Sequence, residues 1–169
     1  NPLEMEGTYP LPEAQMDRFM FKLDVQFPNE EELAQIVGLT TGVNASEPRT
    51  VCGKEELLQM GEISKHVPIA KPVMDYAMQL ILKLHPESED ASETTRKYIR
   101  YGPSPRGAQA IIVAARIYAL LEGRYNVSFD DVKAAALPTL RHRIFLNFEA
   151  LADKITGDDL ILQALKEGK

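Results

Sequence analysis

The chain has 169 residues, of which 44% are hydrophobic and 26% charged, and its net charge at pH 7 is −6. This composition supports one ordinary globular core. The acidic balance argues against binding to nucleic acid or to an anionic membrane, because both are bound mainly through clustered Lys and Arg. The single Cys52 excludes an internal disulfide, and the three histidines are too widely spaced for a zinc-binding pattern.

No apolar run approaches the roughly 20 residues that a membrane-spanning helix needs, and no signal peptide is recognisable. We therefore expect a cytoplasmic protein with no membrane partner.

The first regular pattern is an alternation of apolar and polar residues from Phe21 to Phe27. A two-residue period is typical of a half-buried strand, and Pro28 ends it. Asn29 can then cap a helix whose first turn is acidic, with Glu32 completing a capping box. The apolar stripe expected to face inward comprises Leu33, Ile36 and Val37.

The patterns that follow are helical. One helix is predicted over 54–66, before Pro68, and another from about Pro72 to near Pro86. The polar stretch 87–95 predicts an exposed loop. The predicted inward faces comprise Leu57, Leu58, Met60 and Ile63 in the first helix, and Val73, Ala77, Leu80 and Leu84 in the second.

Ser104 and Pro105 form a helix start, and the segment to Leu121 is so rich in Ala and Ile that two of its faces should be buried. A capping pair, Ser128 and Asp131, starts another helix, which Pro138 should interrupt. Shorter helices are predicted over 148–155 and 156–167. The sequence thus predicts a helical bundle that follows one strand.

Gly102 and Gly107 have the spacing of the two glycines in a Walker-type phosphate-binding loop. Ala108 and Gln109 follow them, so the lysine and the hydroxyl of such a loop are absent. The chain also begins at Asn1 without an initiator methionine. We therefore expect a fragment or a processed piece of a longer protein.

Three segments together resemble the AAA+ ATPases of the MoxR type: Asn1 to Phe19 (NPLEMEGTYPLPEAQMDRF), Gly102 to Gly107 (GPSPRG) and Leu140 to Ile144 (LRHRI). The resemblance covers essentially the whole chain. It implies a mainly α fold, in which residues 1–28 are a remnant of the α/β ATPase core and residues 29–169 form the helical lid domain.

The resemblance also implies site residues. Asn1 would be the first sensor, which orients the attacking water, although an asparagine in a loop turn is the simpler interpretation of that residue type. Arg18 would be the arginine finger, acting in trans at the nucleotide of the neighbouring subunit. The structural alternative for Arg18 is an ion pair with Asp17 or Glu13.

Arg106 would be the second sensor, which contacts the γ-phosphate of its own subunit from the lid. Its position gives an independent argument, because Ser104 and Pro105 place it in the first turn of a helix, where an anion is favoured. The alternative is an ion pair with the acidic segment Glu87 to Asp90. The basic cluster Arg141 to Arg143 is interpreted as stabilising a helix end rather than as binding a ligand.

By this resemblance, the full-length protein would bind ATP and Mg²⁺ in a ring, expected to be a hexamer, and hydrolyse ATP to remodel a partner in the manner of a chaperone. A protein with a von Willebrand factor A domain is the partner that the family suggests. The chain alone should hold no cofactor and be inactive. The alternatives are a non-enzymatic helical interaction module and, in third place, a helix-turn-helix over residues 129–144.

Overall fold

The computed structural model describes residues 11–41 and 49–167, so Asn1 lies outside the described residues. Within those ranges the fold is mainly helical, as the sequence predicts. The elements in chain order are α1 Glu13–Met16, α2 Glu30–Thr41, α3 Lys54–Lys65, α4 Lys71–Lys83, α5 Glu93–Tyr98, β1 Ile99–Tyr101, α6 Pro105–Leu121, α7 Phe129–Leu140, β2 Phe145–Leu146, α8 Phe148–Ala152 and α9 Gly157–Lys166.

Side-chain caps explain where several helices begin. The Ser104 hydroxyl accepts a hydrogen bond from the backbone N–H of Arg106 at the start of α6. Ser128 and Asp131 form a reciprocal capping box at α7, and Asn29 and Glu32 do the same at α2. All three starts agree with the sequence prediction, because a cap needs only residues that are neighbours in the chain.

The core lies around α6, which packs against α4 on one side and α7 on another, while α7 also contacts α9. The many alanines of α6 allow both neighbouring helices to approach closely. The buried stripe of α4 is the predicted one, with Val73, Ala77, Leu80 and Leu84 between 0% and 5% exposed. The facing side of α6 contributes Ile111, Ala114, Ala115 and Ala119, all at most 1% exposed.

A two-stranded antiparallel sheet joins β1 to β2, with Ile99 opposite Leu146. The sequence contains no sign of these strands, because each is too short to show a period. The loop predicted over 87–95 is also wrong at its end, since α5 starts at Glu93. The Ser92 hydroxyl caps α5 by accepting a hydrogen bond from the Thr95 N–H. The polar composition of the stretch predicts a loop and does not reveal this cap.

Helix α7 continues through Pro138 to Leu140, so the predicted interruption is wrong. The Thr139 hydroxyl donates to the Ala135 carbonyl at 2.6 Å, and the Pro138 carbonyl accepts from the Lys22 N–H at 2.9 Å. Strand β2 follows α7 closely, where a helix-turn-helix would need a second helix. The helix-turn-helix interpretation of residues 129–144 is therefore wrong.

The contacts in the structure separate residues 23–62 from a unit formed by residues up to 22 and from 63 onward. The strand predicted over 21–27 is not formed: the segment has no regular secondary structure, and Leu23, Val25 and Phe27 are 70–86% exposed. A strand needs a neighbouring strand for its backbone hydrogen bonds, and among the described residues no strand pairs with this segment. The domain boundary predicted at residue 28 stays a prediction.

The apolar residues of α2 and of α3 that were expected to face inward are also exposed, by 41–63%. The helices themselves form as predicted, but the faces that were expected to be buried are exposed. As for membranes, the described helices include none with the length and apolar character needed to span a bilayer.

Candidate functional site: an arginine-lined cavity at the start of α6

Arg106 stands in the first turn of α6, immediately after the Ser104 cap and Pro105. The loop before it is held by His85, whose Nε2 lies 2.7 Å from the carbonyl oxygen of Pro103. Arg106 is thus presented from a rigid helix start rather than from a free loop.

The two glycines on either side of this segment are closely packed, and Gly102 has no room for a side chain. A Cβ on Gly102 would lie 2.5 Å from the carbonyl oxygen of Leu84, which real structures do not tolerate. A Cβ on Gly107 would lie 3.2 Å from a methyl group of Leu140. Each glycine therefore has a packing reason: Gly102 lies against the backbone at the end of α4, and Gly107 lies against the side chains of Pro103 and Leu140.

The segment that carries Arg18 is fastened to this region by Arg143, whose side chain is only 3% exposed. Arg143 Nη2 donates to the backbone carbonyls of Asp17, at 2.9 Å, and of Phe19, at 2.7 Å. Its Nε also approaches the Asp17 carboxylate at 3.2 Å. The residues on both sides of Arg18 are held by one buried guanidinium, so Arg18 extends from a fixed backbone.

The other two residues of the basic cluster are also structural. His142 Nε2 lies 2.9 Å from the Phe19 carbonyl, an arrangement in which the ring donates. Burial lowers the pKa of His142, and the Phe19 contact only partly opposes this, so the ring is neutral near pH 7. Arg141 pairs with Asp158 at 2.7 Å. All three side chains of this cluster thus contact protein groups, and its interpretation as structural stays a prediction.

Asp17 is the carboxylate around which the site is organised. It accepts one hydrogen bond from the Ser104 hydroxyl, shared between its two oxygens at 2.8 and 3.0 Å, and it pairs with Arg106 at 3.2 Å. Burial alone would raise the pKa of Asp17, but the hydrogen bonds from Ser104 and Arg106 and the charge of Arg143 outweigh it and hold the pKa below its usual value. The carboxylate is ionised at neutral pH.

These residues surround a cavity of about 200 Å³. Arg18 and Arg106 are exposed beside it, whereas Arg143 is committed to protein partners. A drug-sized ligand or cofactor occupies roughly 300–1,000 Å³, so this cavity suits a phosphate group rather than a whole nucleotide. Its lining comprises Asp17, Arg18, Met20, Arg106, Gln109, Ala110, Val113 and Arg143.

The sequence offered an ion pair as the structural alternative for each of Arg18 and Arg106, and among the described residues the structure forms one only at Arg106. Arg18 makes no ion pair with any described residue, so the pair expected with Asp17 or Glu13 is not formed. Arg106 does make an ion pair, but with Asp17 rather than with the segment 87–90. Sequence reasoning named Asp17 only as a partner of Arg18, because a contact across 89 residues leaves no local signal.

Within the ranges 11–41 and 49–167, His, Cys, Asp and Glu side chains form no group of three or more that could hold a metal ion.

Two family models match parts of this chain. The family model described as "AAA lid domain" matches residues 91–164, and the model described as "ATPase family associated with various cellular activities (AAA)" matches residues 1–21. The second match contains Arg18, and the first contains Arg106 and Arg143.

Two curated relatives and one solved structure extend the similarity to nearly the whole chain. Chaperone MoxR1 of Mycobacterium tuberculosis is 35% identical over 166 residues, which are 98% of this chain and 44% of that protein. Protein MoxR of Paracoccus denitrificans is 31% identical over 158 residues, which cover 87% of this chain and 47% of that protein. A candidate ATPase from Cytophaga hutchinsonii matches the fold with a TM-score of 0.93 at 32% identity, covering 100% of this chain and 52% of that one. The chain spans about half the length of the curated relatives it matches.

Proposed function

Since this chain belongs to the MoxR-type AAA+ ATPases and contains their lid domain, we propose that the intact protein binds and hydrolyses Mg-ATP in a ring, with six subunits as the expected number. Arg18 and Arg106 would contact the phosphates. The observation that carries this proposal is the pair of exposed arginines beside one phosphate-sized cavity. The proposed role of Asn1 as first sensor stays a prediction.

The shared cavity supports a more specific arrangement than the sequence analysis gave. There, Arg18 was expected to act in trans and Arg106 in cis, at two different nucleotides. Arg18 and Arg106 both line this cavity, which supports contact with the same phosphate group. We therefore assign both arginines to one nucleotide, and with Arg18 acting in trans, this is the nucleotide of the neighbouring subunit.

The chain's own residues would supply positive charge and orientation. Arg18 and Arg106 would stabilise the charge that develops on the transferred phosphoryl group, as positioned cations do in phosphoryl transfer. Arg143 would keep Arg18 in place through the carbonyls of Asp17 and Phe19. Mg²⁺ neutralises phosphate charge when it is bound with ATP, and its ligands would come from parts of the intact protein outside this sequence.

Remodelling of a partner protein, in the manner of a chaperone, is the proposed use of the hydrolysis energy. The support is that the relative MoxR1 is described as a chaperone. A partner with a von Willebrand factor A domain remains a prediction from the family resemblance.

The test is ATP turnover by the intact protein. Arg18→Ala should reduce kcat by about 10³-fold, the scale for a missing arginine finger, with little change in nucleotide affinity. Arg49→Ala is the matched control, because Arg49 is exposed and lies outside the cavity. Wild-type turnover by Arg18→Ala would show that the finger assignment is wrong.

Mixed rings test the shared nucleotide. Each arginine variant is mixed with a variant that lacks the Walker lysine, and co-assembly is verified. If Arg18 and Arg106 both act in trans, each mixture recovers turnover at interfaces that combine an intact nucleotide pocket with intact arginines. Recovery with Arg18→Ala but not with Arg106→Ala would return Arg106 to a cis role.

A further inference from the structure

Asp17 holds its two arginine partners in very different ways. Arg143 is 3% exposed and hydrogen-bonded to several backbone carbonyls as well as to Asp17. Arg106 is 55% exposed, and its single contact with Asp17 is from Nη1 to Oδ2 at 3.2 Å. The first pair is part of the fold, whereas the second can open into solvent.

The Asp17 carboxylate would remain in place if Arg106 moved away from it. The Asp17 carboxylate is 13% exposed and keeps the shared hydrogen bond from the Ser104 hydroxyl and the contact with Arg143. An ion pair with one exposed partner and a single hydrogen bond is weak, because solvent competes for the exposed guanidinium. An incoming phosphate can therefore take Arg106 from Asp17 at little cost.

We propose that Asp17 is a positioning residue: it holds Arg106 at the edge of the cavity until a phosphate of the nucleotide replaces the carboxylate as the partner of the guanidinium. This inference rests on the proposed function and adds an exchange step to it. Arg106 moves between two anions, while Asp17, Ser104 and Arg143 stay where they are. Asp17 thereby lowers the affinity of Arg106 for phosphate, because the two anions compete for the guanidinium. It also gives Arg106 a defined position before the phosphate binds.

The test measures binding of inorganic triphosphate to the intact protein by calorimetry, which is a separate readout from ATP turnover. Asp17→Asn removes the competing charge and should tighten binding two- to fivefold, the range that corresponds to loss of an exposed ion pair. In an Arg106→Met background the same change should have no effect, because the competition acts through Arg106. Asp158→Asn is the matched control: Asp158 pairs with Arg141 and does not line the cavity.

Several outcomes would overturn the proposal. These are weaker or unchanged binding by Asp17→Asn, an effect that persists in Arg106→Met, an equal effect of Asp158→Asn, or no binding of triphosphate by any variant. A measurement on the unaltered chain covers the case in which Asp17→Asn does not fold. In an NMR titration, the Nε–Hε signal of Arg106 should shift with triphosphate and that of Arg143 should not. If both signals shift together, or neither does, the exchange is refuted.

Discussion

Two pairs of amphipathic helices in this chain have similar apolar stripes and opposite burial. In α4 and α6, the stripe residues Val73, Leu80, Ile111 and Ala115 are at most 5% exposed. In α2 and α3, the corresponding residues are 41–63% exposed. The periodicity therefore predicts that a helix forms and which face is apolar, but not whether anything covers that face.

The region 23–62 differs from the rest of the described chain in having no buried side chain among its described residues. Its helices must rely on capping and local hydrogen bonds, such as the Asn29–Glu32 box, which are individually weak. The unit that includes residues 63–167 buries a continuous apolar cluster. Burial at about 25 cal/mol per Å² makes this unit the main source of stability.

The largest expected difference between the two regions is at their arginines. Arg143→Met should lower the free energy of unfolding by about 3–5 kcal/mol, because it removes one partner of a buried ion pair and leaves carbonyls of 17–20 without their donor. Arg49→Met makes the same chemical change at an exposed position in region 23–62. It should stay within about 0.5 kcal/mol of wild type. Urea denaturation measures the free energy of unfolding of both variants. Equal losses of stability would contradict the expected difference between the two regions.

Matched leucines give the next largest effect. Leu140 is fully buried and Leu57 is 63% exposed. Leu140→Ala should cost about 2–5 kcal/mol through lost burial and the cavity it leaves, whereas Leu57→Ala should cost less than about 0.5 kcal/mol. Thermal and urea unfolding provide the measurement. A large loss for Leu57→Ala would mean that the face of α3 is covered in solution.

The smallest effect is electrostatic and appears only in acid. Arg124 donates to Asp131, and these hydrogen bonds, helped by Ser128, lower the pKa of Asp131 to about 2. A folded-state pKa below the unfolded value, near 3.9, adds stability that is present above about pH 4 and is lost as the pH falls toward 2. The amount is up to about 2 kcal/mol.

Unfolding measured from pH 5 to pH 2 should therefore show a steeper loss for wild type than for Arg124→Met. Lys133→Met serves as control, since its ion pair with Asp130 is exposed and should matter little. Parallel curves for wild type and Arg124→Met would refute the role of this pair in the acid dependence.

The sequence by itself determined the features that depend on near neighbours in the chain. Ser104 with Pro105, and Ser128 with Asp131, predicted where α6 and α7 begin, because a cap is a contact across two or three residues. The stripe of α4 predicted its buried face. The position of Arg106 in the first turn of a helix followed from the same local chemistry, and the motifs around Arg18 and Arg106 carried the family resemblance.

Only the tertiary structure decided which distant groups meet. The contacts that join Asp17 to Arg106 and Arg143 cross 89 and 126 residues, and no local pattern encodes a partner at such a distance. The same reason explains the missed pairing of β1 with β2 and the exposed faces of α2 and α3. Secondary structure forms within a few residues of chain, whereas burial and ion pairing require surfaces that only the folded chain brings together.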